Sequence, residues 1–155
     1  MKIWNRRGAG GFTEELPALL VVLVALSLFI ASAAQARASY MSRRSAIADR
    51  ERVESFASMV CADETLTWQG RLGMFDAACL ADANASSGFQ DRHPSVGFEY
   101  RVTVADDSGT ARWSCNSSEP PLSGDKIRVS RPCNVVEPDG FVRTGIVYVE
   151  GWGMD

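Results

Sequence analysis

Two adjacent carboxylates, Glu14 and Glu15, stand immediately before a long apolar run. Residues 16–34 contain no charged side chain. A carboxylate at the edge of such a run is costly to bury alone, and its burial becomes favourable when a positive group meets it there. The dipole at a helix N-terminus also favours it. The glutamates are therefore candidates for an ion pair inside an assembly of helices, or for capping at the headgroup level with Thr13 as N-cap.

Thiol chemistry is confined to the C-terminal part of the chain. The four cysteines are Cys61, Cys79, Cys115 and Cys133. An even number of cysteines outside an apolar run is typical of disulfides in an oxidising exterior. Structural zinc usually needs closely spaced pairs, whereas the nearest cysteines here are 18 positions apart. We favour the pairs Cys61–Cys79 and Cys115–Cys133, and the other two connectivities stay open.

No other group of residues indicates catalysis. The only histidine, His93, is expected in a solvated loop, and no Ser-His-Asp or Cys-His set accompanies it. Asp106 and Asp107 precede a Ser-Gly pair and are expected to form a turn. No Gly-rich phosphate loop follows a predicted strand. We therefore expect no enzyme activity, no cofactor and no metal.

The C-terminal part is acidic. From Cys61 onward, fourteen Asp and Glu residues oppose eight Lys and Arg residues. Acidic surfaces repel phosphate backbones, so we expect no nucleic-acid partner. Asn84 and Asn116 each begin an Asn-X-Ser sequon, which marks a glycosylation acceptor if this part is exported and the host has the machinery.

The apolar run predicts a transmembrane helix that continues beyond it. As a helix, residues 16–34 would span ~28 Å, enough for one membrane crossing. Residues 35–60 contain no glycine or proline, and Val53, Phe56, Ala57 and Val60 follow helical spacing. We therefore predict one helix from about residue 16 to about residue 60, with a membrane half and an amphipathic half.

In the second half of the chain, apolar and polar residues alternate with a period of two. The segments "GFEYRVTV", "TARWSC", "KIRVS" and "GIVYVEGW" alternate apolar and polar residues and predict four strands in an antiparallel meander. Residues 61–91 are interpreted mostly as loop, with a short helix near residues 72–81. The predicted fold class is α+β: a long N-terminal helix packs, through Phe56 and Val60, on a small antiparallel β-sheet head that disulfides staple.

The N-terminal residues resemble a known family. "RRGAGGFTEEL" followed by an apolar helix is similar to the class III leader of type IV pilins and their relatives in bacteria and archaea. In that family a prepilin peptidase cuts after a glycine on the cytoplasmic side, and the mature chain often begins with Phe and carries glutamate at its fifth position. The match indicates cleavage between Gly11 and Phe12, which puts Glu15 fourth. Cleavage after Gly10 would put Glu15 fifth, so the register stays open.

The resemblance implies an organisation and a set of partners. Residues 1–11 form a prepilin-type leader, residues 12–60 a pilin-like helix and residues 61–155 an extracytoplasmic β-rich head. The C-terminal "IRVSRPC" and "GIVYVEGW" are similar to small archaeal pilin-like proteins. The implied partners are a prepilin peptidase, the membrane, and like or related pilin subunits that meet Glu15 or Glu14 through the N-terminal helix. The protein would be a minor structural subunit of a type IV pilus-like filament, adhesion or secretion assembly at the cell surface.

A second interpretation explains the same residues without assuming a pilin-like protein. A monomeric domain that is secreted or anchored in the membrane, and that binds an extracellular ligand, would also need an apolar segment and an exported head. The "AAQA" that ends at Ala36 fits an ordinary signal-peptide cleavage site. Both hypotheses therefore remain until the mature N-terminus is measured.

The leader predicts one processing phenotype. Gly11→Val should leave an uncleaved precursor in the membrane, because a branched side chain replaces the residue after which the peptidase cuts. Intact mass of the membrane fraction measures this, and Gly8→Val, three residues upstream, serves as the matched control that should still mature. Normal maturation of Gly11→Val would show that this glycine is not the cleavage residue.

Overall fold

The structure, a computed structural model, describes residues 10–82, 85–94, 97–122 and 125–154. The chain divides into two compact units, Met1–Ser45 and Ala46–Asp155. Helix α1 (Gly10–Ala62) contributes residues to both units, and every other element belongs to the second unit. The α+β class and the long N-terminal helix of the prediction are confirmed.

The described part of the first unit is helical, and it is apolar over residues 16–34. Its large apolar side chains between residues 16 and 30 are all at least half exposed. Two serines interrupt this surface, and both are satisfied within the helix: Ser27 Oγ donates to the Leu23 carbonyl at 2.7 Å, and Ser32 Oγ donates to the Leu28 carbonyl. Because these bonds leave no hydroxyl unpaired, the polar atoms of this segment are compatible with lipid.

The start of α1 differs from the prediction. The helix begins at Gly10, six residues before the predicted start, so Pro17 is its eighth residue. Proline has no N–H to donate to the Thr13 carbonyl four residues earlier, and one hydrogen bond of the helix is therefore missing. Thr13 itself lies inside the helix and is not the N-cap that the capping interpretation requires.

The last turns of α1 bury one face in the second unit, as predicted. Val53, Phe56, Ala57 and Val60 are each at most 2% exposed. The Phe56 ring lies 4.7 Å from the Tyr100 ring, centroid to centroid, and contacts three further rings at longer distances. Burial of one such phenylalanine contributes roughly 1.5–3 kcal/mol.

One five-stranded sheet supplies the surface on which this face packs. The four predicted strands are present, and a fifth precedes them. In chain order the strands are β1 (Met74–Asp76), β2 (Glu99–Asp106), β3 (Ala111–Asn116), β4 (Ile127–Val136) and β5 (Val142–Trp152).

The predicted all-antiparallel meander is wrong. The spatial order is β1-β4-β5-β2-β3, and β1 runs parallel to β4. After β3 the chain crosses to the far side of β5 before β4 begins, so β5 lies between β4 and β2 and pairs antiparallel with both. The sheet is therefore mixed, and β3 and β4 are not neighbours.

A 3-10 helix (Trp68–Gly70) and two short α-helices occupy the region interpreted mostly as loop. α2 (Ala77–Ala81) falls where a short helix was predicted, whereas α3 (Ala85–Arg92) was missed. The side chains of α3 protect the edge strand β3: Ser86 Oγ donates to the Ser114 carbonyl at 3.4 Å, and the Gln90 amide donates to the Asn116 carbonyl. These bonds cap carbonyls that a foreign strand could otherwise use.

Glycine at position 151 lets α1 approach the sheet. A Cβ added there would lie 2.8 Å from Val53 Cγ2 and 3.0 Å from Phe98 Cδ2. Contacts that short force neighbouring side chains to move. The close packing between β5 and the end of α1 therefore depends on the missing side chain.

Gly151→Ala should destabilise the second unit by about 1–3 kcal/mol, because an added methyl overpacks this contact. Denaturant unfolding of the full chain in detergent micelles measures the loss. Gly88→Ala in α3 is the matched control, since its nearest neighbour, Arg92 Nη1, is 3.6 Å away and alanine favours the helix. Equal stability of Gly151→Ala and the parent would contradict the contact between Val53 and β5.

Candidate functional site

The predicted processing and assembly residues all lie in the first two turns of α1. Gly11 and Phe12 follow the first helical residue, and Glu14 and Glu15 occupy adjacent positions in the second turn. Adjacent positions are about 100° apart around a helix axis. The two positions therefore lie on different sides of the helix.

The surface that follows them is apolar on every side. The large exposed side chains are Leu16, Leu19, Leu20, Val21, Val22, Leu23, Val24, Leu26, Leu28, Phe29 and Ile30. By length and composition this helix can cross a membrane. Five of its residues, Leu20, Val21, Val24, Ala25 and Leu28, line a shallow apolar groove of the kind into which a side chain of another helix packs.

A polar cluster lies at the other end of α1, and sequence reasoning missed it. Asp63 follows the helix directly, and its carboxylate is only 5% exposed. It accepts hydrogen bonds from the Thr65 backbone N–H and hydroxyl, and it forms an ion pair with Arg92 at 3.3 Å. Burial disfavours the charged form, but these hydrogen bonds, that of His93 and the Arg92 charge outweigh it and lower the Asp63 pKa.

His93 belongs to this cluster, so its predicted place in a solvated loop is wrong. Its side chain is 15% exposed, and Nε2 lies 3.1 Å from Asp63 Oδ2. The ring also packs 4.5 Å from the Phe89 ring, and its backbone carbonyl accepts the Tyr100 hydroxyl at 2.9 Å. Asp63 and His93 thus join the end of α1 to the end of α3.

Asp106 forms the predicted turn. Its Oδ1 accepts hydrogen bonds from the backbone N–H groups of Ser108 and Thr110, and its Oδ2 lies 2.8 Å from Arg112 Nε. The Ser108 hydroxyl also donates to Oδ1. These bonds, with the Arg112 charge, outweigh the effect of burial and lower the Asp106 pKa to about 2. Asp107 lies in the same turn and is exposed.

The four cysteines are free thiols in the structure, so the predicted disulfides are not found. The topology also excludes the predicted pair Cys115–Cys133. Cys115 lies on β3 and Cys133 on β4, and two strands separate them. Three strand spacings are about 14 Å in a flat sheet, and the register adds an offset of four residues along β4, because Cys115 is level with Val129. The two cysteines are therefore too far apart for a disulfide. Burial raises the pKa of Cys115 to about 11.

The remaining predicted site residues are the two sequon asparagines. Asn84 lies outside the described residues. Asn116 is exposed at the end of β3, where its side-chain amide donates to the Ser118 carbonyl at 2.9 Å. In the part of the chain that the structure describes, no three His, Cys, Asp or Glu side chains are grouped to hold a metal ion.

Comparison with known proteins does not assign the chain to a family. No protein-family profile, curated protein or solved structure matches the chain. The long N-terminal apolar helix whose end packs on a β-sheet nevertheless resembles the architecture of pilins.

The Asp106 turn predicts an acid-dependent loss of stability. A folded-state pKa of about 2, below the ordinary 3.8, means that Asp106 stabilises the fold above about pH 4 and that this stabilisation disappears as the pH falls toward 2. Asp106→Asn should therefore be less stable than the parent at pH 7, and the difference should shrink toward pH 2.

Denaturant midpoints of the full chain in micelles at pH 7, 4, 3 and 2 measure this difference. Asp107→Asn, in the same turn, should match the parent at each pH. A difference for Asp106→Asn that is equally large at pH 2 would show that its charge is not what stabilises the turn.

Proposed function

We propose that the protein is a minor structural subunit of a type IV pilus-like filament, or of a related adhesion or secretion assembly. A prepilin peptidase would process it, and like or related subunits would contact it through the N-terminal helix. The observation that carries this proposal is the combination in α1 of a wholly exposed apolar surface with Glu14 and Glu15 at its start.

The apolar surface of this helix suits two environments, lipid and the interior of a helical assembly. Before assembly, lipid covers residues 16–34, and the internally bonded serines leave no polar group open to it. During assembly, helices of neighbouring subunits replace lipid, and the groove lined by Leu20, Val24 and Leu28 accepts their side chains. A helix that serves only as a lipid anchor needs the first property but not the second.

The glutamates explain why neighbouring helices would replace lipid around this helix. Prepilin cleavage leaves a free α-amino group at the start of the mature chain. The amino group of one subunit neutralises the carboxylate of its neighbour when the two helices pack, whereas an isolated carboxylate at the membrane edge has no such partner. The charge pair therefore favours the assembled state and selects one axial register.

The second unit is formed on the same helix and leaves one sheet face uncovered. On this face Arg128 lies over the Tyr148 ring at 4.2 Å, and Glu150 lies 3.9 Å from both Arg128 and Arg101. This polar face is suited to the alternative function, a monomeric anchored or secreted domain that binds an extracellular ligand. It is equally suited to the surface of an assembled subunit.

Intact mass of the mature protein separates the two functions. A chain that starts at Phe12 supports prepilin processing, and a start at Gly11 supports the shifted register. A start at Arg37 indicates ordinary signal cleavage, and a start at Met1 indicates an uncleaved anchor. Either of the last two results would overturn the proposed function.

Assembly predicts different effects for the two glutamates. Glu15→Ala should abolish incorporation into filaments or sheared surface fractions, because the N-terminal amine of the neighbour loses its partner. Membrane insertion should be unchanged, because the apolar residues are kept. The stability of the second unit should also be unchanged, because Glu15 is not part of that unit. Glu14→Ala, the matched control, should be milder because it lies about 100° away around the helix.

Immunoblots of sheared and membrane fractions, normalised to total protein, measure incorporation. A stronger defect for Glu14→Ala would assign the pairing to Glu14. A double variant that assembles at the parent level would remove the ion pair from the proposal and favour the anchored monomer.

A further inference from the structure

A cavity of about 460 Å³ lies between the end of α1 and strand β4. Two of the four thiols, Cys61 and Cys133, line it together with Arg131. Cys61 is in the last turn of α1, and Cys133 is on β4, 72 positions later in the chain. Each cysteine is 6% exposed. This is the place where the fold brings two distant thiols to one site.

Backbone and side-chain contacts hold the two cysteines in place. The Cys61 carbonyl accepts a hydrogen bond from the Gly73 N–H at 2.9 Å, and the Gly73 carbonyl accepts one from the Asn134 N–H at 2.9 Å. A single residue thus bridges the helix end and β4. On its other side, Cys133 Sγ lies over Gly145, where an added Cβ would come within 3.3 Å of the sulfur.

Arg131 places a positive charge beside these thiols. It lies two positions before Cys133, on the same inward side of β4, and its Nη2 donates to the Glu54 carbonyl at 3.3 Å. Its Nε is buried without a partner. Among the described residues no carboxylate forms an ion pair with it, whereas Arg92, Arg112 and Arg143 are all paired.

The charge distinguishes the two thiols. Burial raises the Cys61 pKa, and the Arg131 charge partly opposes this. Burial, together with the negative charge of an ionised Cys61, raises the Cys133 pKa to about 12. Because the Arg131 charge lowers the pKa of Cys61 and is not among the causes that act on Cys133, we assign Cys61 as the attacking thiol.

We propose that Cys61 and Cys133, which are free thiols and not at disulfide distance in this structure, move together across this cavity and form a disulfide that ties the end of α1 to β4 when the protein is in an oxidising compartment. The oxidant is a disulfide, either of a small thiol or of a thiol oxidoreductase. The Cys61 thiolate attacks one sulfur of that disulfide and expels the first thiolate. The Cys133 thiolate then attacks Cys61 Sγ and expels the second. Two thiols are oxidised, one disulfide is reduced, and both protons pass to the released thiols.

The bond would enclose most of the sheet-forming chain. The closed loop contains β1, α2, α3, β2 and β3, and it is longer than either 18-position loop of the pairing favoured from the sequence. Loop closure restricts the unfolded chain more strongly as the loop lengthens. The disulfide needs only an exported second unit, so it holds under either candidate function.

Peptide mapping of the full chain, recovered from its exported location and trapped with N-ethylmaleimide without reductant, tests the pairing. Trypsin does not cut before proline and leaves each cysteine on a peptide of its own, residues 53–71, 72–92, 113–126 and 129–143. We expect peptide 53–71 joined to peptide 129–143 within one chain. Cys79→Ser, the matched control, should keep this link, and Cys61→Ser should free Cys133 for alkylation.

The role of Arg131 is tested by the rate of closure. With oxidised glutathione added to the reduced full chain in micelles, Arg131→Met should close the bond about threefold more slowly, because less Cys61 is ionised. Arg131→Lys should retain most of the rate. Arg128→Met, on the outward face of the same strand, is the control for folding.

Three results would overturn the inference. They are four alkylated thiols in the exported protein, a link from Cys61 to Cys79 or Cys115, and a link between two copies of the chain. An equal closure rate in the parent and in Arg131→Met would remove the assigned role of the guanidinium.

Discussion

The packing of Phe56 against the sheet is the contact on which the second unit depends. Its ring meets those of Tyr100, Phe98, His93 and Phe89 at centroid distances of 4.7, 5.8, 6.1 and 6.3 Å. These rings come from β2, from the segment before it and from the α3 region, so one helix residue joins parts of the chain that are far apart in sequence. A helix end without this anchor would leave four apolar positions of α1 in water.

That anchor also brings polar and thiol chemistry to the end of α1. Asp63 follows the helix, and it meets His93 and Arg92 beside the place where Phe56 and Phe89 pack together. Cys61 is placed beside β4 by the same docking. The apolar contact is non-directional and supplies most of the stabilisation, while the directional hydrogen bonds determine which polar groups become neighbours.

A single helix meets two different physical demands. Its first part exposes apolar groups on all sides and pairs its serine hydroxyls internally, which suits lipid or the interior of a helical assembly. Its last turns are apolar on one face only, and that face is buried in the second unit. In the proposed assembly, the glutamates at the start of the apolar part would meet an amine of a neighbouring helix away from water.

Local sequence pattern alone determined the long apolar helix, the four strands with alternating residues, and the face of α1 that packs on the sheet. Each of these depends on a period that extends over many residues, and Val53, Phe56 and Val60 or Tyr100 and Val102 display it directly.

Only the tertiary structure decided the strand order, the three-residue β1, the mostly polar helix α3, and the neighbours of His93, Arg131 and Cys61. A strand of three residues is too short to show a period, α3 buries only Phe89, and strand order depends on which long-range pairing buries the most surface. Arg131 did carry a signal, since the alternation of β4 puts this arginine on the inward face. Its partners could not be inferred, because they come from a helix that ends 69 positions earlier.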